Sequence, residues 1–192
     1  LVGSPASAPG VISVGAFYSK RMWNSVVGPR QYSGLFDADL GRIADFSSPG
    51  PLRNGEIAPL LCAPGMGIGA ARSVSVANSP ENQPYFLTDM EHMINQGTSQ
   101  AAPHVAGAVA LILERSPHED PDTIIRRLAN TALRDAFTGS EPNNEYGYGK
   151  LDAQAALLFD TPVALASFRT LAIDSGIRLE WSTGDGDPAV GF

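Results

Sequence analysis

The sequence predicts an α/β protein, strands interleaved with buried helices in layers. Three observations carry that class: a β-branched run at residues 11–16 (VISVGA), a nearly unbroken stretch of small apolar residues at 98–115, and a capped helix start at 120–123 (DPDT). The first reads as a buried strand. The second reads as a helix apolar on nearly every face, which has to be buried on nearly every face. The third places Asp120 at an N-cap, Pro121 at the first helical position and Asp122 in an acidic first turn.

The remaining elements follow in order. Residues 17–45 are polar, glycine-bearing and aperiodic, and read as loops. Residues 43–47 and 57–63 read as two short strands separated by turn chemistry (SPGPLRNG), the second ending on Pro64 and Gly65. Residues 73–78 and 85–94 read as the arms of a hairpin-like excursion over a polar tip, SPENQP. The helix at 98–115 is closed by Ser116 and Pro117, and Ala101, Ala102, Ala106, Gly107 and Ala108 would let it approach a sheet closely. A helix from Pro121 to about Thr131 and a short one over 151–159, with Asp152 near its start, complete the first part. At Thr161 and Pro162 the pattern changes to alternating runs, VALASFRTLAI and IRLEWST around a DSG turn, the opening hairpin of an all-β domain. A sandwich needs about seven strands, so two domains are expected, 1–160 and the first strands of a second at 161–192.

Bulk properties exclude several classes. The chain has 192 residues, 43% of them hydrophobic, and a formal charge of -7 with no clustered Lys and Arg, which argues against nucleic acid or an anionic membrane surface as partner. No run approaches the ~20 apolar residues of a membrane span. Cys62 is the only cysteine, so no internal disulfide can form, and it reads as a small buried hydrophobe.

Chemistry concentrates at Ser99. A serine hydroxyl becomes nucleophilic when a base accepts its proton and donors await the oxyanion. Gly97 and Thr98 form a tight turn into the helix, so the Ser99 N–H belongs to the unsatisfied donors of the first turn. Pro103, comfortable only near a helix start, places Ser99 in or beside that turn. Local physics supports a plain N-cap as well as it supports catalysis.

The longer string decides. Residues 97–113, GTSQAAPHVAGAVALIL, resemble the nucleophile motif of the subtilase family of serine peptidases, GTS followed by a small residue and PHVAG. Three further segments resemble that family in the same order: SPASAPGVISVGA at 4–16, ADFSSPGP at 44–51 with APG at 63–65, and YGYGKLDAQAA at 146–156. The resemblance implies the C-terminal half of a subtilisin-like domain, a parallel sheet between helices in three layers. It implies Ser99 as catalytic nucleophile and its N–H as oxyanion donor, with Gly97, Thr98, Pro103, His104 and Gly107 as structural motif positions. It further implies a polypeptide substrate, an acyl-enzyme on Ser99 and a secreted or cell-surface protein. No cofactor is required; structural calcium is compatible with the family, with no ligands assigned.

The family's aspartate, histidine and oxyanion asparagine precede the segment like SPASAPG, so they are expected upstream of Leu1. The isolated chain is then an incomplete, inactive fragment with an open sheet edge. SQAAP before it assigns His104 to the serine motif, as a satisfied core histidine; His92 and His118 read as solvated. Gln96 and Gln100 depart from the family pattern without touching the nucleophile. Residues 66–96 are long for a connection and suggest an inserted hairpin. GMGIGA at 65–70 fits a dinucleotide fingerprint but lacks the following helix, RSVSVAN being strand-like, and reads as a turn near the cleft. DADLG at 37–41 has the flavour of a calcium loop without its ligand count and reads as a solvated turn. Residues 163–192, GIRLEWST above all, are similar to the start of fibronectin-type-III-like domains. Two other readings remain: a non-catalytic subtilase-like binding or adhesion module, and a nucleotide-binding α/β protein resting on GMGIGA alone.

Overall fold

The run at 11–16 does form a strand, displaced toward its C-terminal side: β1 is Val14–Tyr18, with Gly15, Ala16 and Tyr18 buried. The computed structural model describes residues 2–3, 5–140, 142–159, 165–173, 176–183 and 188–191, divided into two units at 1–159 and 160–192. In the first unit, β4 (Leu61–Ala71) is the centre of a three-stranded mixed sheet ordered β1-β4-β5, with β5 at His92–Gln96. It pairs in parallel with β1, from Val14↔Leu61 to Tyr18↔Met66, then antiparallel with β5, from Met66↔Gln96 to Ala71↔His92.

That change of partner corrects three expectations. The strand does not stop at Pro64 and Gly65; GMGIGA lies within it. Gly67 supplies the irregularity where the partner changes, at φ +79° and with the Lys20 backbone where a Cβ would stand. The hairpin is β4–β5, while 72–91, including RSVSVAN, forms turns and one 3-10 turn at Gln83–Tyr85. Ile43 makes only an isolated bridge to Phe17, and 44–47 is no strand. This segment instead bonds the second edge of β1: Ala44 N–H donates to Ala16 O at 2.9 Å and Tyr18 N–H to Arg42 O at 2.9 Å. The expected open edge is thereby occupied over that stretch. The loop expectation for 17–45 is also corrected in part, because β2 (Met22–Ser25) and β3 (Gly28–Gln31) form an antiparallel hairpin that buries Trp23 and Ser25.

Helix α1, Thr98–Arg115, lies on β1 and β4. It buries a single stripe, Ala101, Val105, Ala108 and Ile112, against Ala16, Leu61 and Ala63. Burial on nearly every face is therefore not found: Ala102, Pro103, His104, Ala106, Gly107, Ala110, Leu111 and Leu113 are exposed. The physical reason is geometric. Only one side of the helix meets the sheet, and no described element covers the other. Gly107 has ordinary helical backbone and open space where a Cβ would sit. Gly107→Ala is expected to stabilise the isolated chain by about 1 kcal/mol through helix propensity, measured by urea denaturation. In a longer protein that covers this face, the gain should vanish.

Helix α2, Pro121–Thr131, begins as expected, Asp120 Oδ1 accepting from Thr123 N–H at 3.0 Å. Helix α3, Ala153–Leu158, is shorter than expected; Asp152 caps it through Ala155 N–H at 2.8 Å. Arg127 of α2 is buried and holds Glu119, also buried, through two bonds of 2.9 Å, and donates to Ala156 O of α3. The tight YGYGK segment ends on buried Lys150, whose Nζ sits 2.5 Å from Asp135 and 5.1–5.7 Å from the ring centroids of Phe17, Phe137 and Tyr146. Cation–π contact of this kind offsets part of the cost of burying an ammonium.

Burial pushes the Asp135 carboxyl up, but the bond from Lys150 and the Phe137 and Thr138 amides outweigh it and leave it below the usual carboxylate value. A depressed carboxyl contributes stability that is present above the ordinary carboxylate pKa of about 4 and is lost as pH falls through the native value. The Tm of Asp135→Asn should accordingly lie below wild type at neutral pH, and the two should converge on acidification below about pH 4.

In the second unit, β6 (Leu165–Ile173), β7 (Gly176–Thr183) and β8 (Pro188–Gly191) form an antiparallel sheet in that order. The register of β6 and β7 runs from Leu165↔Thr183 to Ile173↔Gly176. The boundary at Thr161 and Pro162, the turn residues Asp174 and Ser175, and Phe192 lie outside the described residues.

Candidate active site

Three backbone stretches meet at the end of the sheet. Gly97 leaves β5 at φ +146°, a conformation that favours glycine, and donates its N–H to Gly65 O of β4 at 2.8 Å. A Cβ on Gly65 would collide with Ala16 of β1 and stand 3.0 Å from Gly97 O. The two glycines thus bring β1, β4 and the β5–α1 turn into contact. The expectation that backbone passes closely here is met, by a strand residue and not by a turn.

Gly97 is the N-cap of α1, and its carbonyl accepts from Gln100 N–H at 3.0 Å and Ala101 N–H at 3.3 Å. Thr98 and Ser99 are the first two helical residues. Ser99 is exposed, and neither its N–H nor its hydroxyl has a hydrogen-bond partner among the described residues. The helix terminus therefore presents a free N–H and a free Oγ at its positive end. Pro103 stands in the second turn; its missing N–H releases the Ser99 carbonyl from the helical ladder. Gln100, a departure from the family pattern, places its Oε1 over Gly97, 2.8 Å from where a Cβ would be. Thr98 is half-buried and lines a hollow of about 210 Å³ with Ser13, Ser48 and Pro59.

The histidines stand apart from this point. His104 is exposed, not a core residue; it lies on the uncovered side of α1, its Nδ1 2.8 Å from Gln100 O. His118 is exposed. His92 is exposed at the far end of β5 and paired with Asp89 at 2.8 Å. Among the described residues none of them is hydrogen-bonded to Ser99. Cys62 is no rival nucleophile: it is fully buried, and burial pushes its thiol up to about 12, where no thiolate forms at neutral pH.

Two sequence decoys resolve. GMGIGA is strand, and no helix follows it, so it forms no dinucleotide loop. In DADLG, Asp37 is held by Arg21 and Asp39 accepts from Phe36 N–H at 2.9 Å. These carboxylates are engaged within the protein, and among the described residues no three His, Cys, Asp or Glu side chains converge. The carboxylates of DADLG are thus engaged in side-chain and turn contacts, in keeping with its reading as a turn. No helix among the described residues is long and apolar enough to cross a membrane.

The fold and the site define a class. The chain belongs to the subtilase family, whose profile matches residues 1–149. Among its relatives are the minor extracellular protease Vpr of Bacillus subtilis (strain 168), 33% identical over 130 residues, and fervidolysin of Fervidobacterium pennivorans, 32% identical over 177. These matches cover 66% and 89% of this chain. The crystal structure of fervidolysin, a keratinolytic enzyme related to subtilisin, is similar with a TM-score of 0.56 at 29% identity, over 95% of this chain and 27% of that one. The chain spans 15% of the length of Vpr and 22% of fervidolysin.

Sequence reasoning placed the tight turn at Gly97 and Ser99 in the first turn of the helix, where the structure has them. It missed the Gly65–Gly97 contact, which joins residues 32 positions apart (97 minus 65), and a hollow along β5 reaching Gln96. Neither leaves a local signal.

Proposed function

We propose that this chain carries the nucleophile of a secreted or cell-surface serine endopeptidase, with Ser99 as the attacking residue. The observation that supports it is the exposed Ser99, whose N–H and Oγ are both unengaged at the first turn of α1. Oγ attacks the scissile peptide carbonyl while a histidine outside this chain takes its proton. The Ser99 N–H donates to the oxyanion as it develops. The tetrahedral intermediate expels the amine, protonated by the same histidine, and leaves an acyl-serine that water hydrolyses. Gly97 sets the turn, and Pro103 frees the Ser99 carbonyl.

Under this reading the uncovered side of α1, with Ala102, Ala106 and Gly107, is the seat of the remainder of the peptidase domain. That remainder supplies the aspartate, the histidine and the second oxyanion donor. Residues 161–192 begin an accessory domain like fibronectin type III, a proposal supported by the antiparallel order of β6, β7 and β8. The test is hydrolysis of an unfolded protein substrate by the full-length protein that contains this chain. Internal cleavage yielding new amino termini is expected. Binding of the same substrate without cleavage would establish the alternative, a non-catalytic subtilase-like binding module.

A further inference from the structure

A hollow of about 570 Å³ opens beside β5, with Gln96 in its wall. We propose that it is a specificity pocket for an aromatic, non-acidic side chain of the polypeptide, within three residues of the bond that Ser99 attacks; this rests on the peptidase reading above.

Position comes first. Gln96 is three residues from Ser99, so the pocket wall lies within ~11 Å of the nucleophile's Cα, since consecutive Cα atoms are ~3.8 Å apart. An extended polypeptide advances ~3.3 Å per residue. The side chain reaching the hollow therefore belongs to one of the first three residues from the scissile carbonyl. The volume falls within the range of about 300–1,000 Å³ found for small-ligand sites.

The walls give the chemistry. Tyr32 and Tyr85 face the hollow together with Met66 and Met93, a combination of flat rings and polarizable thioethers suited to an aromatic guest. The two tyrosines are held by one residue behind them. Trp23 stacks on Tyr85 at 6.2 Å and 18° and packs tilted on Tyr32 at 4.9 Å and 55°. Its indole Nε1 is fixed by donating to Pro84 O at 2.8 Å. Walls anchored in this way lose little freedom when a guest enters. The β2–β3 hairpin and the long 72–91 connection have a role in this arrangement, since they deliver Trp23 and Tyr85.

Charge sets the exclusion. Arg42 lines the hollow with a buried Nε–H that has no hydrogen-bond acceptor; the nearest carboxylate oxygen, on Asp39, is 3.3 Å away but not in hydrogen-bonding geometry. An acidic side chain is disfavoured, because Asp39 and Asp45 (3.1 Å from Nη1) already outnumber the guanidinium charge.

The experiment uses the full-length protein with Ser99→Ala, so that binding is read without turnover. Three Ala/Ser decapeptides carrying one central Phe, Ala or Glu are titrated by calorimetry. The Phe peptide should bind at least tenfold more tightly than the other two. Tyr85→Ala, at an exposed position that should not compromise folding, should abolish the difference, and Tyr85→Phe should keep it. Equal affinities for the three peptides, or a preference that Tyr85→Ala leaves intact, would overturn the proposal. The two readings fail separately. A bound Phe peptide that the wild-type protein never cleaves counts against the peptidase, whereas cleavage without the preference counts against the pocket alone.

Discussion

Ser99→Ala in the full-length protein should reduce kcat on a peptide substrate by roughly 10⁶-fold, the loss found on removing the nucleophile of subtilisin, to which fervidolysin is related. KM should change little. Ser99 is exposed and its hydroxyl has no hydrogen-bond partner among the described residues, so its loss should leave binding and folding little changed. The expected Tm is that of the wild type. The N-cap reading of Ser99 is not met, since Gly97 holds that position and no side chain caps the helix; a large fall in Tm would therefore contradict the structure. Gly97→Ala would be a poorer test. It would strain a residue at φ +146° and drive a methyl toward Gln100, so turnover and folding would fall together.

Arg127→Ala should be the most damaging change away from the site, costing about 3–5 kcal/mol, because it leaves a buried carboxylate without its partner. Both side chains are only 7% exposed, and the guanidinium makes two bonds of 2.9 Å to Glu119 and one to Ala156 O. The loss therefore strands Glu119 and also removes the tie between α2 and α3. Replacing the pair together, Arg127→Met with Glu119→Leu, should recover most of the stability, since apolar pairs of similar volume commonly substitute for buried ion pairs. Urea denaturation followed by circular dichroism reads both variants. A single mutant within about 0.5 kcal/mol of wild type, the range of ordinary surface substitutions, would show the pair to be solvated.

What the sequence made legible was local. The cap at Asp120, the proline at the next position and the apolar run from Thr98 all act within a turn or two of chain, and each places its helix correctly. The strands were less legible because their partners are distant. Residue 65 looks like a stop after Pro64, yet β4 runs on to Ala71, since Gly65 and Gly67 let it leave β1 and take up β5. The alternation in MWNS, with Trp23 and Ser25 buried, is only four residues long and was hidden among loop residues. His104 was misplaced for another reason. An apolar helix gives no sign of which faces find a partner within the same chain, and the side bearing His104, Ala106 and Gly107 finds none among the described residues. The Lys150 cage and the walls of the β5 hollow are assembled from segments far apart in sequence.

The most direct test of the central claim is labelling by a fluorophosphonate, which reacts only with a serine activated by a base and an oxyanion hole. The account predicts rapid stoichiometric labelling of the full-length protein, with the adduct mapped by mass spectrometry to Ser99, and none of the isolated 192-residue chain. A full-length protein that stays unlabelled, or an adduct on any other residue, would contradict it.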